Sequence, residues 1–256
     1  PPHMASSAAS DVYKRQITLF IMSASLMAQM NGFGNIANSS PEDDPYYQFT
    51  KPILNNLLKA MGKTDFNKPA LNIISDDYEV AFINDKGIHV STKFVDLCQS
   101  MGNDADDAMA FVLAHEIGHQ EKDHFFALEF GSAYASEEWG QKIHNSFDTL
   151  KHIGIYETEA DEFGLYFSYS AGYNTINVAE KVIDKIYKDF HLPDEMPGYP
   201  PKEFRKEQVK IAEKKVEQLI PVFEIGNFLN ILASTYKANE QNALVDAARN
   251  CYQHLI

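Results

Sequence analysis

The stretch of sequence that determines the fold runs from Asp104 to His124 and reads DADDAMAFVLAHEIGHQEKDH. Acidic residues stand in its first turn and apolar residues then recur at helical spacing, which predicts an α-helix. Because an apolar run directly precedes the histidines, we expect this helix to be buried on most of its sides. His115 and His119 are four residues apart, so both imidazoles project from the same face of the helix.

This histidine spacing indicates a metal site. Two imidazoles on one helical face can reach a single zinc ion at about 2.0–2.1 Å. Glu116 lies about 100° further round the helix, so we expect it to approach a water molecule held by the metal and to take its proton as general base. The alternative is a helix that carries these residues by chance. Histidines and a glutamate in a buried helix are costly, however, unless a metal or another partner satisfies them.

A second predicted helix offers the remaining ligand, because catalytic zinc sites commonly use three protein ligands and leave one position open. Glu157 and Asp161 are four residues apart, so both can face the first helix. Glu157 can bind zinc while Asp161 accepts a hydrogen bond from the outer nitrogen of a ligating histidine. Glu159 lies on a different face and is the weaker candidate. An acidic cluster of this kind is otherwise a solvated helix face.

The two motifs together resemble those of the gluzincin metallopeptidases of family forty-eight, which include the HtpX heat-shock proteases and the CAAX prenyl endopeptidases. The resemblance covers about residues 72–205. It implies one Zn²⁺ per chain bound by His115, His119 and Glu157, with Glu116 as the catalytic base and Asp161 as the residue that orients a ligand. The multi-span membrane region of the prenyl proteases has no counterpart here, so the resemblance concerns the soluble, single-domain members.

The sequence departs from the family pattern before Arg205, where family members often carry a histidine. The group that would stabilise an oxyanion is therefore open. Four side chains could supply the hydrogen bond, each with a purely structural role as the alternative: His152, Tyr169, Tyr173 and Tyr199. His124 comes five residues after His119, faces away from the metal at helical spacing, and is not included in the predicted site.

The remaining sequence predicts a mainly α fold of the α+β class, a helical zincin-like domain with one small sheet. Short apolar runs between Leu71 and Ser91, with a turn at Asn84–Gly87, predict a small antiparallel β-sheet. Elsewhere the periodicity is helical. We expect helices at Tyr46–Met61 and Lys202–Leu219, and a C-terminal helical hairpin formed by Val222–Tyr236 and Gln241–Leu255.

Three segments follow from these patterns. Residues 1–45 combine a cloning remnant, a signal peptide and a linker, because Lys14-Arg15 precedes a short apolar run. A retained helix is the alternative for that run. Residues 46–220 form the metallopeptidase domain, and residues 221–256 form the hairpin, which resembles a first tetratricopeptide-like repeat. We therefore expect export to the periplasm or the cell exterior, with the cytoplasm as the alternative.

The amino-acid composition argues against one class of function and one class of fold. The chain has 256 residues, of which 22 are Lys or Arg and 36 are Asp or Glu, giving a net charge of −14. This acidity argues against a nucleic-acid-binding protein. Two cysteines, Cys98 and Cys251, are too few for a disulfide framework.

These observations predict a zinc-dependent endopeptidase acting on polypeptide substrates. One alternative is a catalytically silent, zinc-stabilised helical binding module whose terminal hairpin docks a protein partner. Another is a latent protease in which residues 125–155 cover the cleft. The sequence leaves membrane association open.

Overall fold

The computed structural model describes residues 41–63, 68–124, 137–138, 142, 149–195, 200–235 and 238–253. The predicted signal peptide and Tyr199 lie outside these ranges, as does most of the 125–155 segment. The side chain of His152 lies outside the described part as well. The predictions made for them therefore stay predictions.

The described residues form a mainly helical fold with one small sheet, which confirms the predicted fold class. Seven α-helices are present in these ranges: α1 (Pro45–Ala60), α2 (Thr92–Gln99), α3 (Ala105–Glu121), α4 (Thr149–Ser170), α5 (Ala179–Asp189), α6 (Lys202–Thr235) and α7 (Ala238–Gln253). The strands are β1 (Leu71–Ile74), β2 (Ala81–Asn84) and β3 (Gly87–Ser91). None of the helices in the described ranges combines the length and apolar character of a bilayer span.

The sheet is mixed, so the prediction of an antiparallel sheet was wrong for one of its two strand pairs. The strand order is β1-β3-β2, with β2 antiparallel and β1 parallel to β3. The two-residue turn after Asn84 forms the predicted hairpin. Residues 75–80 connect β1 to β2, which lies on the other side of β3. The alternation of short apolar runs in the sequence does not determine this strand order. Gly87 has a φ of +122°, and a Cβ there would lie 2.2 Å from the Ala70 carbonyl oxygen.

Helix α3 lies at the centre of the core and packs against α1, α2, α4 and β2. Every residue from Ala108 to His119 is buried, which confirms that the motif helix is buried on most of its sides. Its closest crossing is with α4, where small residues bring the backbones together. A Cβ on Gly164 would lie 2.9 Å from the Phe111 carbonyl oxygen, and one on Gly118 would lie 3.0 Å from the Phe163 ring.

The chain divides into two compact units, Pro1–Val209 and Lys210–Ile256. The boundary falls inside α6. This helix continues through Pro221, whereas the sequence predicted two separate helices on either side of that residue. Proline has a φ already suited to a helix and removes only one backbone donor, so it can bend a helix without ending it. The second unit buries Ala212, Val216 and Ala248 and exposes Ile225 and Phe228.

The crossing of α3 and α4 generates a stability prediction. In an isolated helix Gly→Ala stabilises by about 1 kcal/mol. We expect Gly164→Ala instead to destabilise the protein by about 1–3 kcal/mol, because the added methyl meets backbone and forces the helices apart. Gly118→Ala is the comparison, and it should cost less because its methyl meets side-chain atoms of Phe163 at 3.0–3.1 Å and no backbone atom among its nearest neighbours. Urea unfolding measures both changes, and equal or reversed costs would contradict this account of the crossing.

Candidate metal centre

Three side chains from α3 and α4 converge on one point. Nε2 of His115 lies 3.1 Å from Nε2 of His119. Oε2 of Glu157 lies 3.7 Å from Nε2 of His115, and Oε1 of Glu157 lies 3.5 Å from Nε2 of His119. All three residues are buried. The structure thus brings together the three residues that the sequence singled out as ligands, and together they could hold a metal ion.

The His115 ring is fixed from behind by a charged group. Its Nδ1 lies 2.9 Å from Asp161 Oδ1. Arg205 binds the same carboxylate in a bidentate manner, with Nε 2.9 Å from Oδ2 and Nη2 2.7 Å from Oδ1. Although burial alone would raise the pKa of Asp161, Arg205 and His115 hold it well below its usual value. Asp161 is therefore an anion in contact with Nδ1 of His115, and it favours the neutral tautomer with the hydrogen on Nδ1, whose Nε2 can bind a metal.

The His119 ring is fixed by His124, which contradicts the prediction that His124 plays no part in the site. Nδ1 of His119 lies 2.9 Å from Nδ1 of His124, and Nε2 of His124 lies 3.0 Å from Glu159 Oε2. Because Glu159 can only accept when ionised, it takes the Nε2 hydrogen of His124. His124 Nδ1 is then an acceptor for the Nδ1 hydrogen of His119. Nε2 of His119 is left with its lone pair facing the cluster.

His124 reaches this position because α3 ends just before it. Asp123 has a φ of +52°, and the amide of His124 donates to the carbonyl of His119 at 3.1 Å. This is the backbone reversal of a Schellman-type helix end. It folds His124 back over the last turn, where its ring stacks on Tyr156 at 4.5 Å. Helical spacing does not apply beyond the reversal, which is why the prediction for His124 was wrong.

The donor set fits a zinc ion. Two ligand atoms at about 2.0–2.1 Å from a tetrahedral zinc are roughly 3.3–3.4 Å apart, and the separations of 3.1, 3.5 and 3.7 Å bracket that value. In the neutral tautomers that Asp161 and His124 favour, Nε2 of both histidines can bind a cation. Burial lowers the pKa of His115, but Asp161, Glu157 and Glu116 outweigh it and raise that pKa, so these carboxylates favour positive charge at this point. Burial lowers the pKa of His119 well below its usual value, so that ring stays neutral and available to a cation. A metal between the nitrogens would satisfy both.

Glu116 lies beside this cluster and is buried. Burial raises the pKa of its carboxyl to about 8, partly offset by His115 and reinforced by the negative charge of Glu157. Its side chain lines the same cleft as the three candidate ligands. The structure therefore places Glu116 next to the ligand set and outside it, as its position on the helix predicted.

Residues near strand β2 and helix α5 line the cleft together with α3 and α4. Val80 to Ile83 supply the strand part, and β2 is an edge strand of the sheet. The part from α5 is mainly apolar and consists of Ile183, Ile186 and Tyr187, and Leu192 follows α5.

Of the four proposed oxyanion donors, the two whose side chains the structure describes do not lie at the cleft. Tyr169 and Tyr173 do not line it, and the Tyr173 hydroxyl is paired with Asn56 at 3.2 Å. Tyr187 and Arg205 both line the cleft, and neither was predicted as a site residue. Tyr187 had one usable signal, because it continues the buried face of α5 formed by Ala179, Val182 and Ile183. Arg205 had none, because a distant cation cannot be paired with Asp161 from spacing alone.

The ligand set generates a first metal-binding prediction. We expect one zinc per chain in the purified protein. Glu157→Gln should lower the zinc content strongly, because it removes an anionic ligand. Glu159→Gln is the matched control and should lower it far less, since an amide oxygen can still accept from His124. Metal analysis after dialysis gives the comparison, and an equal loss in both variants would mean that Glu157 is not the ligand.

The contact between His119 and His124 generates a second prediction about metal binding. Groups that orient a metal-binding histidine typically contribute about 10–100-fold to metal affinity. We therefore expect His124→Asn to weaken zinc binding by about that factor. His191→Asn, at an exposed histidine, should leave it unchanged. Competition with a chromophoric chelator measures the affinity, and wild-type affinity in His124→Asn would show that the contact does not support the ligand.

The family comparison agrees with this site. The model of peptidase family M48 matches residues 51–135, about one third of the chain. The match includes α3 with both histidines and Glu116, and it ends before Glu157. No curated protein and no solved structure matches the chain. The match confirms the predicted resemblance for the helix with the first motif, and over residues 51–135 the chain is similar to peptidase family M48.

Proposed function

We propose that the protein is a zinc-dependent endopeptidase with Glu116 as its general base. The observation that carries the proposal is the position of this buried carboxyl, beside a complete set of three ligands and in the cleft that they line. A site with a purely structural metal has no use for such a base and is normally closed by a fourth protein ligand.

His115, His119 and Glu157 would hold the metal. When bound, zinc supplies a Lewis acid that polarises the substrate carbonyl and makes a water molecule more acidic. Asp161 and His124 keep the two imidazoles in the tautomer and orientation that binding requires. Arg205 fixes Asp161 in turn and balances part of its charge.

Glu116 would move the proton. It accepts a proton from the attacking water and returns it to the leaving amine after the tetrahedral intermediate forms. A carboxyl with a pKa of about 8 is protonated at neutral pH, but a cation on the adjacent ligands would lower that value. The loaded site therefore favours a carboxylate that can accept a proton and, with its pKa raised by burial, also return one.

The cleft suits an extended polypeptide. One side of β2 pairs with β3, and β2 has no further strand on its other side within the described sheet. An extended peptide could add to this edge through main-chain hydrogen bonds. Ile183, Ile186 and Leu192 line the same cleft and offer apolar contacts to the side chains of such a peptide. These features support polypeptide substrates with an apolar residue near the cleaved bond.

Several further properties are proposed from the sequence alone. The basic and apolar N-terminal pattern supports a signal peptide and export to the periplasm or the cell exterior. The net charge of −14 supports the absence of nucleic acid among the partners. The C-terminal hairpin predicted for residues 221–256 is proposed as a surface for a protein partner. Residues 125–155 would cover the cleft in the alternative, a latent protease.

A glutamine at position 116 tests the proposed function. Glu116→Gln should lower the cleavage rate of an internally quenched peptide by about 10²–10⁴-fold, because the base is lost. Zinc content and the melting temperature should stay close to those of the wild-type protein. Blocking both ends of the peptide makes the assay specific for endopeptidase activity. Glu121→Gln, on the exposed end of the same helix, is the control and should cleave at the wild-type rate.

Two results would overturn the proposal. Wild-type cleavage by Glu116→Gln would show that another group is the base. Zinc-loaded wild-type protein that cuts neither peptides nor denatured casein would favour the silent binding module or the latent protease.

A further inference from the structure

Among the described residues that line the cleft, Tyr187 is the one whose polar group has no role in the proposed mechanism so far. It lies on the buried face of α5 and is 4% exposed. Its hydroxyl is fully buried and donates no hydrogen bond within the described part of the chain, and the Arg205 guanidinium is the hydrogen-bonding group beside it. A buried hydroxyl hydrogen without an acceptor costs free energy that a phenylalanine would not incur. The side chain lines the same cleft as Glu116 and the three candidate ligands, so a substrate in the cleft can supply the missing acceptor.

The surroundings of Tyr187 make its hydroxyl a donor. The Arg205 guanidinium lies beside it, and a guanidinium has only donors. Toward Arg205 the phenol oxygen can therefore only accept, which leaves its own hydrogen free. Burial also raises the pKa of Tyr187 above its usual value, although Arg205 opposes this. The phenol is consequently protonated at neutral pH.

The ring itself is held in place. Nζ of Lys202 lies 5.8 Å from its centre, and Lys202 also forms an ion pair with Asp184 at 2.9 Å. Asp184 is on α5, the helix that carries Tyr187, and Lys202 begins α6. These contacts and the burial of the side chain restrict the ring, and a preorganised donor requires such restriction.

We propose that the Tyr187 hydroxyl donates a hydrogen bond to the oxyanion of the tetrahedral intermediate. In that step a bond forms between the water oxygen and the carbonyl carbon, the carbonyl π electrons move to its oxygen, and the water proton passes to Glu116. Collapse of the intermediate breaks the carbon–nitrogen bond, and the proton goes to the amine. Tyr187 keeps its own proton throughout. This inference rests on the proposed peptidase function.

The matched test is Tyr187→Phe, which removes the hydroxyl and keeps the ring. Removing one oxyanion donor typically costs about 10²–10³-fold in rate. We therefore expect kcat for the quenched peptide to fall by about 10²-fold, with KM unchanged. Tyr173→Phe is the control, because its hydroxyl is bonded to Asn56 and lies outside the cleft. Its kinetics should match the wild type.

Binding gives a readout independent of turnover. A phosphinic peptide of the same sequence resembles the tetrahedral intermediate, and calorimetry on the zinc-loaded protein gives its affinity. Tyr187→Phe should weaken phosphinic-peptide binding by a factor similar to the loss in kcat. The affinity for the uncleaved peptide, measured in a Glu116→Gln background, should not change when Tyr187→Phe is added. Melting temperatures of all variants check that they fold.

The outcomes separate this inference from the proposed function. An active wild-type enzyme whose Tyr187→Phe variant has an unchanged kcat would overturn the role of Tyr187 alone. Equal weakening of phosphinic and substrate peptides, or unfolding of Tyr187→Phe, would show a structural role instead and would also overturn it. Wild-type protein that neither cuts peptides nor binds the phosphinic peptide would overturn the peptidase function, and the inference with it.

Discussion

Helices α3 and α4 cross closely because Gly164 leaves room for the Phe111 carbonyl oxygen, and this contact sets the distance between the two histidines and Glu157. The ligands come from both helices, so a wider crossing would draw the carboxylate away from the imidazoles. The same crossing places Asp161 against the back of His115 and Glu159 against His124. A single backbone approach therefore determines both the ligand positions and the groups that orient them.

The site also has a charge constraint. Glu116, Glu157 and Asp161 bring three carboxyl groups into one buried region, and Arg205 is the cation that contacts two of them. If all three are ionised, two negative charges remain, which a divalent cation would balance. Without that cation protonation reduces the negative charge. Burial, with a smaller contribution from Glu157, raises the pKa of Glu116, and the three carboxyl groups raise the pKa of His115 against the effect of its own burial. Buried like charges are tolerated only when they are paired or neutralised, so the acidic cluster and the facing histidines favour the same occupant.

The helical parts of the site could be predicted because helical spacing is a local property. It predicted that His115 and His119 share one helix face and that Glu157 and Asp161 share another. The structure brings these two pairs together. Spacing failed at His124 because the helix ends in a left-handed residue one position earlier. It could not supply strand order in the sheet, which depends on a crossing loop. Nor could it pair Arg205 with Asp161 across 44 residues, since only the tertiary packing of α4 and α6 makes that contact.

The two histidine ligands are supported unequally, and this difference follows from where their partners lie. Asp161 behind His115 has a side chain that is 2% exposed and is fixed by the Arg205 fork. His119 is instead contacted by His124, and the Glu159 side chain that contacts His124 is 50% exposed. A contact with a half-exposed carboxylate is weakened by solvent and salt, whereas a buried and bidentate one is not. His115 is therefore the rigid anchor of the site, and His119 is the ligand whose support depends on conditions at the protein surface. Glu116 follows His115 directly in the sequence, so the proposed base shares the rigid side of the site.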